Sequence, residues 1–125
     1  MSTSFPYVRL FADAEGNSHL EQDLNVQLEP TNFVPPAPVI HVSPLQLATA
    51  YAFLSVPADY FGDWHPSPKR QWVFFLSGQM EFEVSDGRRY LGVPGSRVLL
   101  EDTTGLGHRS RVIGNEPAVM AAVQL

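Results

Sequence analysis

The chain has 125 residues, 44% of them hydrophobic, and a formal net charge of −5 at pH 7. A chain of this length is expected to form one compact domain around a single core. The negative charge, with only 8 basic residues, argues against a nucleic-acid partner, and the lack of cysteine excludes disulfides and thiolate sites.

Proline and glycine interrupt the chain at short intervals, and no segment keeps a helical apolar period for three turns. This pattern predicts an all-β fold. The strand at 47–56 is long and apolar enough to be central in a sheet, and a helical turn over Gln46–Tyr51 is the alternative. The first half is expected to contain strands at 5–11, 19–30, 39–43 and 47–56, with the proline-rich stretch 31–38 as a connection or an edge.

The second half carries the strongest turn signal, Asp86-Gly87 between two alternating runs. This pair predicts a β-hairpin with a type I′ turn, in which both central residues have positive φ. About ten short strands at this spacing predict a single domain over residues 1–125, built as a sandwich or barrel. Its interior is expected to include Phe53, Val73, Phe75, Phe82, Val98, Val112 and Val123.

The stretch from 62 to 78 (GDWHPSPKRQWVFFLSG) is the part around which the rest of the chain is arranged. His65, Ser67 and Gln71 share one face of an extended segment, because strand side chains alternate with period two. The two interleaved prolines favour that extended conformation. Apolar side chains follow on both faces of the strand, both of which are expected to be buried, so a polar patch opens one end of an apolar interior.

This spacing resembles the first cupin motif, in which His-x-His, a later glutamate and a closing glycine line a small β-barrel. His65 stands at the first histidine, Gln71 at the glutamate and Gly78 at the closing glycine. Ser67 replaces the second histidine, and Asp59 replaces the opening glycine.

His108, with Gly105 three residues before it, is similar to the core of the second cupin motif. That motif supplies the last metal ligand in family members that bind metal. The resemblance covers residues 45–124, preceded by N-terminal strands and a connection at 1–44. It implies an all-β cupin double-stranded β-helix, a jelly-roll barrel of two antiparallel sheets.

The resemblance implies a divalent metal ion, such as Fe, Mn, Ni or Zn, held by His65, Gln71 and His108. This set has two imidazoles and a carboxamide where a complete cupin site has three imidazoles and a carboxylate. None of these three ligands carries a negative charge, so a divalent ion held by them would keep its full charge. An occupied site would therefore favour a substrate with a carboxylate or enolate.

Further residues are expected near the barrel mouth. Glu101 and Asp102 both lie close to it, and Glu101 is the candidate base or fourth ligand. A tyrosine, Tyr60, is the candidate acid. The pocket is expected to be lined by Asp63, Ser67 and Trp64.

Three functions are compatible with these residues. The first is a metal-assisted dioxygenase, isomerase or lyase acting on a small organic molecule. The second is a metal-free enzyme that resembles the cupin sugar epimerases and uses His65 as a general base beside Asp63. The third is a module that binds or senses a small ligand without turnover. Fold alone does not choose between them.

The expected partners are a small molecule and a second copy of the chain. The strand at 5–11 lies outside the motif-bearing part, and we expect it to form an unpaired edge that supports a homodimer. His19, in a polar turn, is expected to be a solvated surface residue, and His41 is expected to be structural. No long apolar run or basic-then-apolar leader is present, which predicts a soluble, cytoplasmic protein without a membrane partner.

Overall fold

The computed structural model describes residues 3–125, and every regular element in that range is a β-strand. The all-β prediction is confirmed. None of these residues belongs to a helix long and apolar enough to cross a membrane. The strands are β1 (Ser4–Ala12), β2 (Ser18–Gln27), β3 (Glu29–Thr31), β4 (Ile40–Val42), β5 (Ala50–Val56), β6 (Phe61–His65), β7 (Gln71–Ser77), β8 (Gln79–Glu83), β9 (Arg89–Gly92), β10 (Arg97–Glu101), β11 (His108–Ile113) and β12 (Ala118–Gln124).

The strands form two large sheets and one small one. The six-stranded sheet has the order β2-β1-β10-β7-β12-β5, the four-stranded sheet has the order β6-β11-β8-β9, and β3 pairs with β4 alone. β1 runs parallel to β10, and the other pairings are antiparallel. The six-stranded sheet is therefore mixed and not purely antiparallel as expected, because β1 lies between β2 and β10 and runs parallel to β10.

The core lies between the two large sheets and is formed by one cluster of buried apolar side chains. Phe75 on β7 meets Phe82 on β8 edge to face, with ring centroids 6.0 Å apart. This contact joins the two sheets, because alternation turns every second side chain of each strand inward. Five of the predicted core residues are buried there: Val73, Phe75, Phe82, Val98 and Val112.

The other two predicted core residues lie on the outer face of the six-stranded sheet. Phe53 is 73% exposed, and Val123 is half-buried. Among the described strands β5 pairs only with β12, so it is an edge strand and not the central strand that its apolar sequence predicted. The alternative helical turn over Gln46–Tyr51 is also absent, because residues 43–48 are irregular and β5 begins at Ala50.

The first strand is not an edge. β1 is paired on both sides, with β2 and with β10. The predicted dimer edge at residues 5–11 is therefore wrong. The outer face of β7 also departs from the prediction of two buried faces, because Trp72 and Phe74 are half-buried and Leu76 is exposed.

The hairpin between β8 and β9 is present, but its turn is displaced by one residue. The Gly87 N–H donates to the Val84 carbonyl at 3.0 Å, which places Ser85 and Asp86 at the centre of the turn. Gly87 has a φ of 90°, whereas Asp86 is not among the residues with positive φ. The turn is therefore of the three-residue kind with glycine in the left-handed position, and not type I′.

One end of the two sheets carries most of the polar residues singled out above. β6 ends at His65 and β11 begins at His108, while β10 ends at Glu101. Asp102 follows directly, and its backbone carbonyl accepts a hydrogen bond from the Ser67 N–H at 2.9 Å. This bond links the segment after β6 to the end of β10. We call this end of the sheets the mouth.

Candidate functional site

Two histidines from different motifs lie against each other at the mouth. His65 and His108 are directly opposite in the register of β6 and β11. Their ring centroids are 4.9 Å apart, at an interplanar angle of 56°. His108 is 4% exposed whereas His65 is exposed, so the His65 ring covers His108 on the solvent side.

The buried histidine is held by a buried carboxylate. His108 Nδ1 lies 2.6 Å from Asp102 Oδ2, and Asp102 is 0% exposed. An ionised carboxylate only accepts hydrogen bonds, so the tautomer that fits this contact has its proton on Nδ1, and in the neutral ring the lone pair is then on Nε2. The Phe82 and His108 rings also pack edge to face, with ring centroids 5.4 Å apart. Carboxylate and aromatic contacts together fix the tautomer and orientation of His108.

The second oxygen of this carboxylate has no hydrogen-bond partner among the described residues. Leaving a buried acceptor unsatisfied costs about 1–3 kcal/mol. Asp102 Oδ1 is thus a position where a water molecule or a ligand group with a proton to donate would be stabilised.

Ser67 and Gln71 are close to each other, as their spacing predicted. The Gln71 side-chain amide donates to Ser67 Oγ over 3.4 Å, a long hydrogen bond. Ser67 is 2% exposed and donates its own hydroxyl proton to the Lys69 carbonyl at 2.7 Å. Both bonds stabilise the bend between β6 and β7. In this arrangement Ser67 acts as an anchor for the loop.

Glu101 is turned away from the two histidines. Its Oε1 lies 2.6 Å from Arg9 Nε, and its Oε2 accepts a hydrogen bond from Arg70. Two guanidinium groups therefore occupy the oxygens of this carboxylate. The structure therefore places the candidate base in an ion-pair cluster, on the opposite side of the strand end from Asp102.

Tyr60 and Gly62 are in close contact. A Cβ atom at Gly62 would overlap the Tyr60 hydroxyl oxygen and ring, so the tyrosine lies folded back on β6. Gly62 is opposite Ser110 on β11, two residues from His108. Tyr60 precedes β6, and its side chain lies beside Gly62 on this pair of strands, further from the mouth than the histidines.

Asp63 and Trp64 surround His65 in different ways. The Asp63 backbone carbonyl accepts a hydrogen bond from His65 Nδ1 at 2.7 Å, which leaves Nε2 of that ring with the lone pair. The Asp63 carboxylate accepts a hydrogen bond from the backbone N–H of Trp64 at 2.8 Å. Trp64 itself lies under the Arg109 guanidinium, 5.0 Å from its ring centroid. It packs on the outer face of the four-stranded sheet and not in the mouth.

That outer face carries a ladder of alternating charges. Arg109 donates two hydrogen bonds of 3.1 Å to the Glu83 carboxylate. This contact holds the pKa of Glu83 below its usual range and raises the pKa of Arg109. Arg111 pairs with Glu81 on the neighbouring position. The ladder joins β8 to β11 and so supports the strand that begins at His108.

The loop between β10 and β11 needs glycine where it passes His65. Gly107 has a φ of 75°, and a Cβ atom there would overlap the backbone carbonyl of His65. The Gly107 carbonyl accepts a 2.6 Å hydrogen bond from the hydroxyl of Ser18, which is fully buried. The glycine therefore allows the loop to close tightly over the end of β6.

The metal set expected from the resemblance is present only in part. Among residues 3–125, no group of three or more His, Cys, Asp or Glu is placed to hold an ion. His65 and His108 each keep an Nε2 lone pair, and a carboxylate behind a ligating imidazole is a common supporting arrangement. Gln71, the third expected ligand, directs its amide to Ser67. Two imidazoles alone make a weak site for Fe, Mn, Ni or Zn.

Asp102 was expected near the mouth, but its contact with His108 was not predicted, and Glu101 was the candidate base instead. The signal was available, because Val98, Leu100 and Asp102 have the same parity and the first two are apolar. Period-two alternation therefore predicts that Asp102 points inward and Glu101 outward.

Comparison with known proteins adds little to these observations. No protein-family model matches the chain, and no curated protein matches it. Among solved structures, the chain is similar to the crystal structure of protein NMB1881 from Neisseria meningitidis. The two share 19% identity, with 60% of this chain and 71% of that chain covered and a TM-score of 0.47. A likeness at this level says nothing about function.

Proposed function

We propose that the chain is a cupin-type barrel that binds a small organic molecule at His65 and His108, and that His108 exchanges a proton with it without a metal ion. The observation that carries this proposal is the 2.6 Å contact between His108 Nδ1 and Asp102 Oδ2, made by two buried side chains. The molecule would bear a carboxylate or enolate, or a proton acidic enough for an imidazole to remove.

The chemistry follows from the tautomer. With its Nδ1 proton held by Asp102, His108 offers the Nε2 lone pair as a general base. When Nε2 takes up a proton, the imidazolium forms beside a carboxylate, which stabilises it. His65 would bind the other side of the ligand, because its Nε2 is not used by the hydrogen bond to Asp63.

Access to His108 requires His65 to move. The His65 ring covers His108, and its single hydrogen bond within residues 3–125 is the one to the backbone carbonyl of Asp63. A rotation of this exposed side chain would open the ring of His108 without changing any strand pairing. Ligand binding would then place a polar group near Asp102 Oδ1, the buried acceptor without a partner.

A second candidate function is a metal-assisted reaction of the same small molecule. The buried carboxylate behind His108 favours it, since such carboxylates orient ligating imidazoles. Gln71 would have to turn its carbonyl oxygen from Ser67 towards the ion. In that case Ser67→His would supply a third imidazole and raise affinity at least about tenfold, about 1.4 kcal/mol.

The two candidates are separated by titrations on the same protein. Calorimetric titration with Mn²⁺, Ni²⁺ and Zn²⁺ is expected to give the same heat of binding for the unmodified protein and for His108→Ala. NMR of the imidazole nitrogens, during titration with small carboxylates, is expected to show His65 and His108 responding together. Metal binding that disappears in His108→Ala would favour the second candidate. If the imidazole NMR signals of His65 and His108 do not shift with any carboxylate, and no metal binds, both candidate functions are contradicted.

A further inference from the structure

A long part of the chain has no charge and yet lies on the surface. Residues 30–58 are 29 consecutive residues without Asp, Glu, Lys or Arg. Most large hydrophobic side chains that are exposed among residues 3–125 belong to this stretch. They are Phe33, Val34, Val39, Ile40, Leu45, Leu47, Tyr51, Phe53 and Leu54. We call these nine side chains the uncharged surface.

The uncharged surface includes a free strand edge. β5 pairs with β12 on one side and has no strand neighbour on the other within the described range. Exposed edges are normally protected by charged side chains, proline or a bulge. The sequence of β5, AYAFLSV, has no charge and no proline, and its register with β12 is unbroken from Ala50 to Val56. This edge is open to another strand.

The apolar area continues from β5 across the outer face of the six-stranded sheet. Phe53 lies opposite Ala121, which lies opposite Phe74 on β7. Phe74 stacks on Trp72 with ring centroids 5.7 Å apart. A cavity of about 240 Å³ lies beside this pair, under the segment that connects β4 to β5. The edge and the face therefore form one continuous apolar region.

We propose that a second copy of this chain covers the uncharged surface, with β5 of one protomer pairing antiparallel to β5 of the other about a twofold axis. An antiparallel edge is self-complementary, since each strand offers its copy the same free backbone groups. The pairing would extend the sheet across both protomers. This inference goes beyond the proposed chemistry and does not depend on it.

Charge and area both favour a second copy as the occupant. Each chain carries a net charge of −5, and the uncharged surface is where two copies can meet without bringing carboxylates together. The five members on β5 and just before it are Leu45, Leu47, Tyr51, Phe53 and Leu54, each more than a third exposed, and together they present on the order of 700 Å². Stable interfaces bury roughly 800 Å² on each partner, and Trp72 and Phe74 add to the area beside β5, so this part of the surface has the size that a dimer needs.

The first test is the mass of the intact chain in solution. Sedimentation velocity up to about 100 μM is expected to give twice the protomer mass of 13.9 kDa. Phe53→Lys places a charge in the centre of β5 and should weaken the dimer at least tenfold. Leu91→Lys, at an exposed leucine on the edge strand β9, is the matched control and should leave the dimer unchanged.

The second test uses the unmodified chain and so does not depend on a variant that folds. Backbone amides of β5 are expected to be protected from hydrogen exchange at high concentration and to lose that protection on dilution. A monomer at every concentration would overturn the proposal. So would a dimer that keeps its affinity in Phe53→Lys, or β5 protection that does not change with concentration.

Discussion

Asp102 and Glu101 are neighbours in the chain, yet their carboxylates lie on opposite sides of the end of β10. Asp102 is fully buried against His108, whereas Glu101 is paired with Arg9 and Arg70. One carboxylate therefore orients an imidazole, and the other belongs to a surface ion-pair cluster. The two residues allow a direct comparison of these roles by substitution.

Asp102→Ala is expected to lower the free energy of unfolding by about 1–3 kcal/mol, because it leaves the buried Nδ1–H of His108 without an acceptor. Glu101→Ala is the matched control and is expected to cost about 0–1 kcal/mol, since its ion pairs are partly solvated. Urea denaturation of both variants measures the difference. Equal losses would show that the contact between Asp102 and His108 contributes no more than a surface pair.

Gly107→Ala is expected to destabilise the protein more than Gly114→Ala does. Both glycines have positive φ, so both substitutions carry the backbone strain of about 1 kcal/mol. Only at Gly107 does the added Cβ overlap another group, the His65 carbonyl, whereas at Gly114 it meets open space. Thermal unfolding of the two variants isolates the overlap. Equal decreases in the unfolding temperature would mean that the loop shifts to relieve the overlap at little cost in free energy.

Ser18→Ala is expected to loosen the loop between β10 and β11. The buried Ser18 hydroxyl donates to the Gly107 carbonyl and accepts the Ser85 N–H at 2.8 Å, so its removal leaves buried groups unpaired, at about 1–3 kcal/mol. Ser43→Ala should be nearly neutral, because the Ser43 hydroxyl makes only a long, solvent-exposed hydrogen bond of 3.3 Å to the Pro44 carbonyl. Hydrogen exchange should show faster opening at Gly107 in the first variant only. Unchanged exchange there would contradict this role for Ser18.

Arg109→Gln is expected to raise the pKa of the Glu83 carboxyl towards its ordinary value, because the hydrogen-bonded guanidinium is the main cause of the lowering. A lowered pKa means that this pair adds stability above the ordinary carboxyl range and loses it as pH falls through the folded value. Carboxyl ¹³C NMR titration measures the change. Arg111→Gln removes a more distant charge and should shift Glu83 less.

Local patterns predicted the strands well. A run of apolar residues marked β7 and alternating apolar residues marked β8, and their inward side chains Val73 and Phe82 are buried. The Asp-Gly signal found the β8–β9 hairpin, although Ser85 and Asp86 occupy its centre. Short-range chemistry decides whether a segment is a strand, and for that question the sequence was sufficient.

Sheet order was not predictable in the same way. The apolar run of β5 was expected to be central because hydrophobic strands are usually covered on both faces. Its position depends instead on pairing with β12, which is distant in the chain, and no local pattern reports that pairing. Phe53 was placed in the core for the same reason. At the mouth, the meeting of His65 and His108 was expected only from the resemblance to the two cupin motifs, while the choice between Glu101 and Asp102 required the parity of β10.

The dependence of β5 on β12 also affects how the protein is made. Chains emerge from the ribosome from the N-terminus onwards, and β5 is completed before β6–β12 exist. Its single neighbour among the described strands, β12, is the last of these twelve to be synthesised. During translation β5, an uncharged apolar strand, therefore has no strand to pair with until β12 has been synthesised. The nascent chain, more than the folded protein, is the state in which this strand is open to aggregation and to capture by chaperones.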